Sequence, residues 1–264
     1  MLPVLLALGA LVGFLAGLLG IGGGMSLVPL LTILFTAWNF PTAHIVHMAV
    51  ATATATMVFT AMSSARAHQR KGAVLWQVVA ALGPGVVLGS LIGPQVASAL
   101  PTRPFAAIFG AFTWFAAWRI FIGSTQTADR QLPGKAELFG VGAAIGTIAS
   151  MVGAGGAFLV VPFLGRHNVK IRNAIGTSAA LGLPIAAAAT LGFIFAGLRQ
   201  AGLPAWSVGY VYVPAMAAIV VASILAAPVG ASAAHRWPAV KLRRAFAALL
   251  FTLGAYMFCK AVRG

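Results

Sequence analysis

Acidic residues are almost missing from this chain: of 264 residues only Asp129 and Glu137 carry carboxylates, and both lie in or beside one polar segment. No carboxylate relay across a membrane can be built from them. A single cysteine, Cys259, excludes an internal disulfide and a thiolate metal cluster, and it reads as apolar filler near the last helix end. Charged residues of both signs amount to 7%, against about 25% in a soluble globular chain. A phosphate-binding loop is also absent. There is no Gly-Lys-Ser/Thr, and Gly20-Ile-Gly22-Gly-Gly-Met25 lacks the sixth-position glycine of the dinucleotide fingerprint. A primary pump would therefore need a separate ATPase subunit. No nucleophile–base pair or metal cluster stands within the apolar runs, so an enzyme is not expected, and neither is a cofactor.

What the chain has is apolar length. Hydrophobic residues make up 61%, and runs of roughly 20 residues, enough to cross a bilayer, recur throughout. A membrane forces every backbone N–H and C=O to pair internally. Strands would show period-2 alternation; these runs are continuous and rich in Ala, Leu, Val and Gly. The reading is an all-α polytopic membrane protein. The first run has no basic leader and is too long for a secretory signal, so it belongs with the mature chain.

Lys and Arg number 17, giving a formal charge of +15. They stand singly or in small groups between apolar runs. Nucleic-acid binding, which needs a clustered basic face, is not expected. Their main roles are topology and contact with lipid headgroups.

Self-comparison divides the chain. Residues 13–31 read GFLAGLLGIGGGMSLVPLL and residues 146–164 read GTIASMVGAGGAFLVVPFL. Ala49-Val-Ala-Thr52 meets Ala174-Ile-Gly-Thr177, and Gly72, Trp76 and Pro84 meet Gly202, Trp206 and Pro214. Two repeats result, 1–123 and 136–264, joined by the polar linker 124–135. As one helix, Met1–Phe35 would be about 52 Å long at ~1.5 Å per residue, longer than the ~30 Å hydrocarbon core. The Gly20–Gly24 cluster breaks it, and Pro29 fits the first turn of a second short helix. Each Gly cluster is read as the tip of a helical hairpin that returns to its own side. Single crossings are expected at 44–64, 74–99, 104–122, 172–197, 207–233 and 242–261. That topology puts thirteen basic residues on one side and four, Arg103, Arg199, Lys260 and Arg263, on the other. Letting the Gly segments cross instead gives no asymmetry. The positive-inside rule selects the hairpins, places both termini outside a cell (inner) membrane, and inverts the second repeat relative to the first. Inverted repeats with broken helices are a mark of secondary transporters.

The duplicated motif resembles that of the sulfite exporter TauE/SafE family. The residues that carry the resemblance are Gly20, Gly22, Gly23, Gly24, Val28 and Pro29, then Gly153, Gly155, Gly156, Val161 and Pro162. The small-plus-hydroxyl patterns Ala51-Thr52-Ala53-Thr54 and Gly176-Thr177-Ser178, and the loop His68–Val74, are similar too. Ala157 and Leu75 depart from the family pattern. The resemblance implies transport of sulfite, thiosulfate, sulfonates such as taurine or sulfoacetate, or related anions.

Independently of the family, unwound glycine backbone exposes N–H groups, and a helix beginning there aims its positive dipole end at the gap. The expected substrate site comprises Gly22, Gly23, Gly24, Ser26, Thr52, Gly153, Gly155, Gly156, Asn173, Thr177 and Ser178. The competing reading of the glycines is close helix packing. That of the hydroxyls is bonding back to their own helix. His44 and His47 are i,i+3 but lack a carboxylate or thiolate partner, so no metal is expected. His47 is the proton-coupling candidate. Its repeat-related Arg172 reads as an anion contact or a topology charge. A small anionic solute and the bilayer are the expected partners; a homodimer is left open. An anion channel and, further off, an intramembrane enzyme are the alternatives to a carrier.

Overall fold

The computed structural model describes residues 2–19, 24–122, 131–234 and 239–263. Within them the chain is an all-α polytopic membrane protein. Its helices are α1 (Leu2–Leu19), α2 (Gly24–Ala37), α3 (Ile45–Arg70), α4 (Trp76–Ala99), α5 (Thr102–Ile122), α6 (Lys135–Met151), α7 (Ala157–Arg166), α8 (Ile171–Gly197), α9 (Val213–Ala234) and α10 (Ala239–Arg263). The first predicted break, Gly20–Gly23, and most of the linker, 124–130, lie outside the described residues.

Five helices are long and apolar enough to cross a bilayer: α3, α4, α5, α8 and Arg244–Val262 of α10. Helix α9 is 22 residues long and apolar. Large apolar side chains point outward on these helices, among them Trp118, Phe121, Phe195, Ile224 and Leu225. An apolar exterior on this scale needs lipid around it.

The expected crossing at 207–233 is corrected at its start. Ser207–Val208 and Val211–Tyr212 pair as a two-residue antiparallel hairpin, and α9 begins only at Val213. Trp206 and Gly209 have positive φ, 68° and 55°. The hairpin leans on α8, where Gly209 packs against Ile194 and Gly197 against the Tyr210 amide. Packing also pairs Ser90 with Ser223 across the repeats, three residues away from the register that matches Pro84 with Pro214 (133 against 130). Pro29 is corrected too. It stands in the second turn of α2, as Pro162 does in α7, and neither can offer an N–H to Met25 or Phe158.

The major helix contacts come in related pairs. Helix α1 lies along α9, and α6 lies along α4; α3 packs against α8, and α5 against α10. In α3, 72% of the most apolar window is buried, and in α8 56%, against 33–39% in α4, α5 and α10. The α3–α8 pair is therefore the centre of the bundle.

Both hairpins return to the end they start from. Gly9 meets Ile219 and Gly13 meets Ser223, so α1 runs alongside α9 in the same direction. Helix α2 comes back, and Phe35 and Phe40 near its end meet Tyr212 edge to face, next to the first residue of α9. In the second half Gly142 and Gly146 meet Leu82, Val86 and Ser90 of α4 in the same manner. Helix α7 then returns to the end where Asn173 bonds the Ala73 carbonyl. Lys71, Arg166, Lys170 and Arg172 all gather at that second end.

These crossings depend on the absence of side chains. A Cβ on Gly13 would overlap the Ser223 backbone, and one on Gly146 the Val86 carbonyl oxygen. Gly13→Val and Gly146→Val are each expected to destabilise the bundle by about 1–3 kcal/mol or more through overpacking. Gly83→Ala, with nothing within 4 Å, should be neutral or mildly stabilising. Thermal unfolding of the purified variants in detergent measures the difference.

Candidate functional site

The second glycine break is fully visible. Helix α6 ends at Met151 and α7 begins at Ala157. Between them Gly153 and Gly156 take left-handed backbone, φ 59° and 74°. Only glycine adopts that region without a steric penalty, so the Gly-rich sequence sets the break where the helix would otherwise continue.

This tip is wedged between α3 and α2. A Cβ on Gly24 would overlap the Gly153 carbonyl oxygen, so the start of α2 and the second tip touch backbone to backbone. The space a Cβ on Gly153 would take is bounded by Val28 at 3.3 Å, Val50 at 3.6 Å and Thr54 at 3.8 Å. Met57 reaches between the tips, its sulfur 3.4 Å from the Cβ position of Gly24 and 3.5 Å from that of Gly155. Gly24, Gly153, Gly155 and Gly156 are thus brought together at the α3–α8 centre. Gly22 and Gly23 lie outside the described residues. Ser26 is buried in the second residue after Gly24.

The remaining candidates do other work in this state. Thr52 Oγ1 accepts the Tyr212 backbone N–H at 3.1 Å, and Thr177 Oγ1 accepts the Leu75 N–H at 3.0 Å. Each threonine at the head of a central helix holds the segment that leads into an outer helix of the other half. Asn173 Nδ2 donates to the Ala73 carbonyl at 3.4 Å, and the Arg172 guanidinium to the Lys71 carbonyl. These contacts sit at the second end, more than a helical turn from Gly182, which touches the tip at Gly155. Ser178 is buried with its hydroxyl unpartnered, on the α8 face that packs with Leu181 and Ile185.

His47 is buried at the first end. Its Nε2 lies 3.0 Å from the Ala97 carbonyl and 3.1 Å from that of Leu100, so Nε2–H is shared by the carbonyls that close α4. The ring stacks on Tyr210 at 5.3 Å, and Nδ1 has no hydrogen-bond partner. His44 lies outside the helices; burial holds its pKa below the ordinary histidine value, and it is neutral at pH 7. Among the described residues no cluster of three metal-ligating side chains occurs.

A small cavity opens beside the start of α2. Gly13, Gly24, Thr56, Met57, Thr60 and Ser223 contribute to its wall, and its volume of about 20 Å³ admits roughly one water. Thr60 and Ser223 carry no signal in the sequence, because neither belongs to the duplicated glycine or hydroxyl motif. They become legible only when α3 and α9 are placed against the tip.

An apolar exterior, a helical hairpin broken at mid-bundle and a small cavity with hydroxyls in its wall are the features of a polytopic membrane transporter. The sulfite exporter TauE/SafE family profile matches residues 5–257, and the chain belongs to that family. It is 34% identical to a probable membrane transporter protein of Haemophilus influenzae over 97% of both chains. A probable membrane transporter protein of Bacillus subtilis is 27% identical over 89% of this chain and 91% of its own. One from Methanocaldococcus jannaschii is 23% identical over 97% and 95%. No solved structure matches.

Gly156→Ala is expected to cost stability twice over. It would force an alanine to positive φ, and it would place Cβ 2.6 Å from Ile185 Cδ1. A loss of roughly 1–3 kcal/mol follows. Gly155→Ala, with only Met57 nearby and ordinary φ, should be tolerated. Denaturation midpoints of the two variants in detergent decide between them.

Proposed function

We propose that the protein is a secondary transporter of small anions, chiefly sulfur oxyanions or organosulfonates such as sulfite, thiosulfate, taurine-like solutes or sulfoacetate. The observation that carries this reading is the meeting of Gly24 with Gly153 at the α3–α8 centre. Broken helix ends there can offer backbone N–H groups and a positive dipole end to a dehydrated anion. The chain's two carboxylates lie far from that centre in sequence, at Asp129 and Glu137, which disfavours a cation. The relatives' names support transport, and the family's name supports the sulfur chemistry.

A carrier must close each end in turn. The Thr52–Tyr212 and Thr177–Leu75 bonds tie the two halves together at opposite ends of the central pair. Their breaking and remaking supply a closure for each side, which favours a carrier over a channel. The second end, rich in Lys and Arg, faces the cytoplasm in this reading, and both termini face outward. His47, buried with a bare Nδ1, is the group that carries any pH dependence of uptake.

Uptake of sulfite, sulfate, thiosulfate, taurine and sulfoacetate into proteoliposomes tests the reading. Saturable uptake of at least one, with a turnover far below channel rates, is expected; none, or channel-like flux, rejects it. Thr52→Val and Thr177→Val each strand a backbone N–H, at a cost of about 1–3 kcal/mol if it stays buried. Each should slow uptake while Thr→Ser at the same position restores it. A C-terminal reporter active only in the cytoplasm would reject the orientation.

A further inference from the structure

The two halves treat the space beneath their tips differently. Packing makes Gly13 equivalent to Gly146, and Ser223 to Ser90. The repeat matches Thr52 with Thr177, so Thr56, Met57 and Thr60 correspond to Leu181, Gly182 and Ile185. In the register that matches Gly13 with Gly146, Val12 corresponds to Ile145, and Leu27 to Val160. Beside the start of α2 the cavity wall is mainly apolar, with Val12, Leu27, Ala53 and Met57, and carries the hydroxyls of Thr56, Thr60 and Ser223. In the second half Ile145, Val160, Leu181 and Ile185 form one buried apolar cluster, and the hydroxyls at its edge are those of Ser178 and Ser90. Ile185 Cδ1 stands 2.6 Å from where a Cβ on Gly156 would be. On the central helices, one half carries Thr56 and Thr60 beside a small hollow where the other carries the buried Leu181 and Ile185.

The chemistry of the hollow is specific. Gly24, the first described residue of α2, lines the hollow. Thr56 Oγ1 donates to the Thr52 carbonyl at 2.8 Å, Thr60 Oγ1 to Met57 at 3.1 Å, and Ser223 Oγ to Ile219 at 2.6 Å. These bonds back to the parent helix leave the oxygens facing a solute as acceptors. Each hydroxyl can instead turn its proton outward by giving up one local bond. A small oxyanion, including a protonated one such as bisulfite, meets adjustable hydroxyls from α3 and α9 beside the start of α2. The cavity is smaller than such a solute, and Met57 is the unbranched, adaptable side chain whose withdrawal enlarges it.

We propose that the anion is bound on one side only, in the hollow formed by Gly24, Thr56, Thr60 and Ser223, and that the repeat-related space is a structural plug centred on Ile185. The proposal rests on the anion-transport reading and assigns its substrate contacts.

Reciprocal exchange tests it, using uptake of 35S-labelled sulfite into proteoliposomes. Thr56→Val and Thr60→Val, close in shape to threonine, should each raise KM about tenfold. Thr60→Ser should keep the wild-type KM, and Thr60→Ile, which copies the plug, should abolish uptake. Ile185→Thr should leave KM within about twofold. Gel filtration and melting temperature establish that each variant is folded. Folded Thr56→Val and Thr60→Val proteins with wild-type KM would overturn the one-sided site, as would an Ile185→Thr protein whose KM moves as much as that of Thr60→Val. Should the wild type take up no anion of the panel, the transport reading itself falls and this assignment with it.

Discussion

The structure depends on one approach without side chains: the start of α2 against the second glycine tip. Gly24 and the Gly153 carbonyl leave no room for a Cβ between them. A methyl group there would push apart two broken helices that come from opposite halves of the chain. Everything central follows from that contact. It fixes Met57 between the tips, brings Val50 and Thr54 of α3 onto Gly153, and seats Gly155 against Gly182 of α8. In lipid, where apolar burial gives little drive for helix association, such backbone proximity is the main source of packing energy.

The same economy of side-chain volume runs outward. Gly9, Gly13, Gly142 and Gly146 let the outer helices α9 and α4 lie directly on the first legs of the hairpins. Polar bonds are then spent at the ends. Thr52 holds the hairpin before α9, Thr177 holds the loop before α4, and His47 closes the carbonyl end of α4. A rigid glycine-packed centre with single hydrogen bonds at each end suits a protein whose ends must open in turn while the centre keeps its contacts.

Much of this is legible in the sequence. Length and hydropathy pointed to the five long apolar spans and to most of α9, since apolar runs of bilayer length have few alternatives. Gly153 and Gly156 announced the break because only glycine takes their backbone angles. The resemblance of the motif to the TauE/SafE family pointed to the family that the profile match establishes. Three features were not legible. The hairpin at Ser207–Tyr212 hides in an apolar run because two-residue strands carry no periodicity. The partners of Thr52 and Thr177 are backbone amides over 100 residues away, and no pattern along the chain encodes them. The contrast between Thr60 and Ile185 looks like ordinary repeat drift until both positions are seen beneath their tips.

The central claim is that an anion sits beside the start of α2, between α3 and α9. Selenite is a chemical analogue of sulfite with a strong anomalous scatterer at its centre. Crystals of the protein soaked or grown with selenite would locate it directly. The account predicts an anomalous peak within hydrogen-bonding reach of Thr56, Thr60 and the start of α2. A selenium peak beside Ile185 and Gly156, or at the basic end alone, would contradict it.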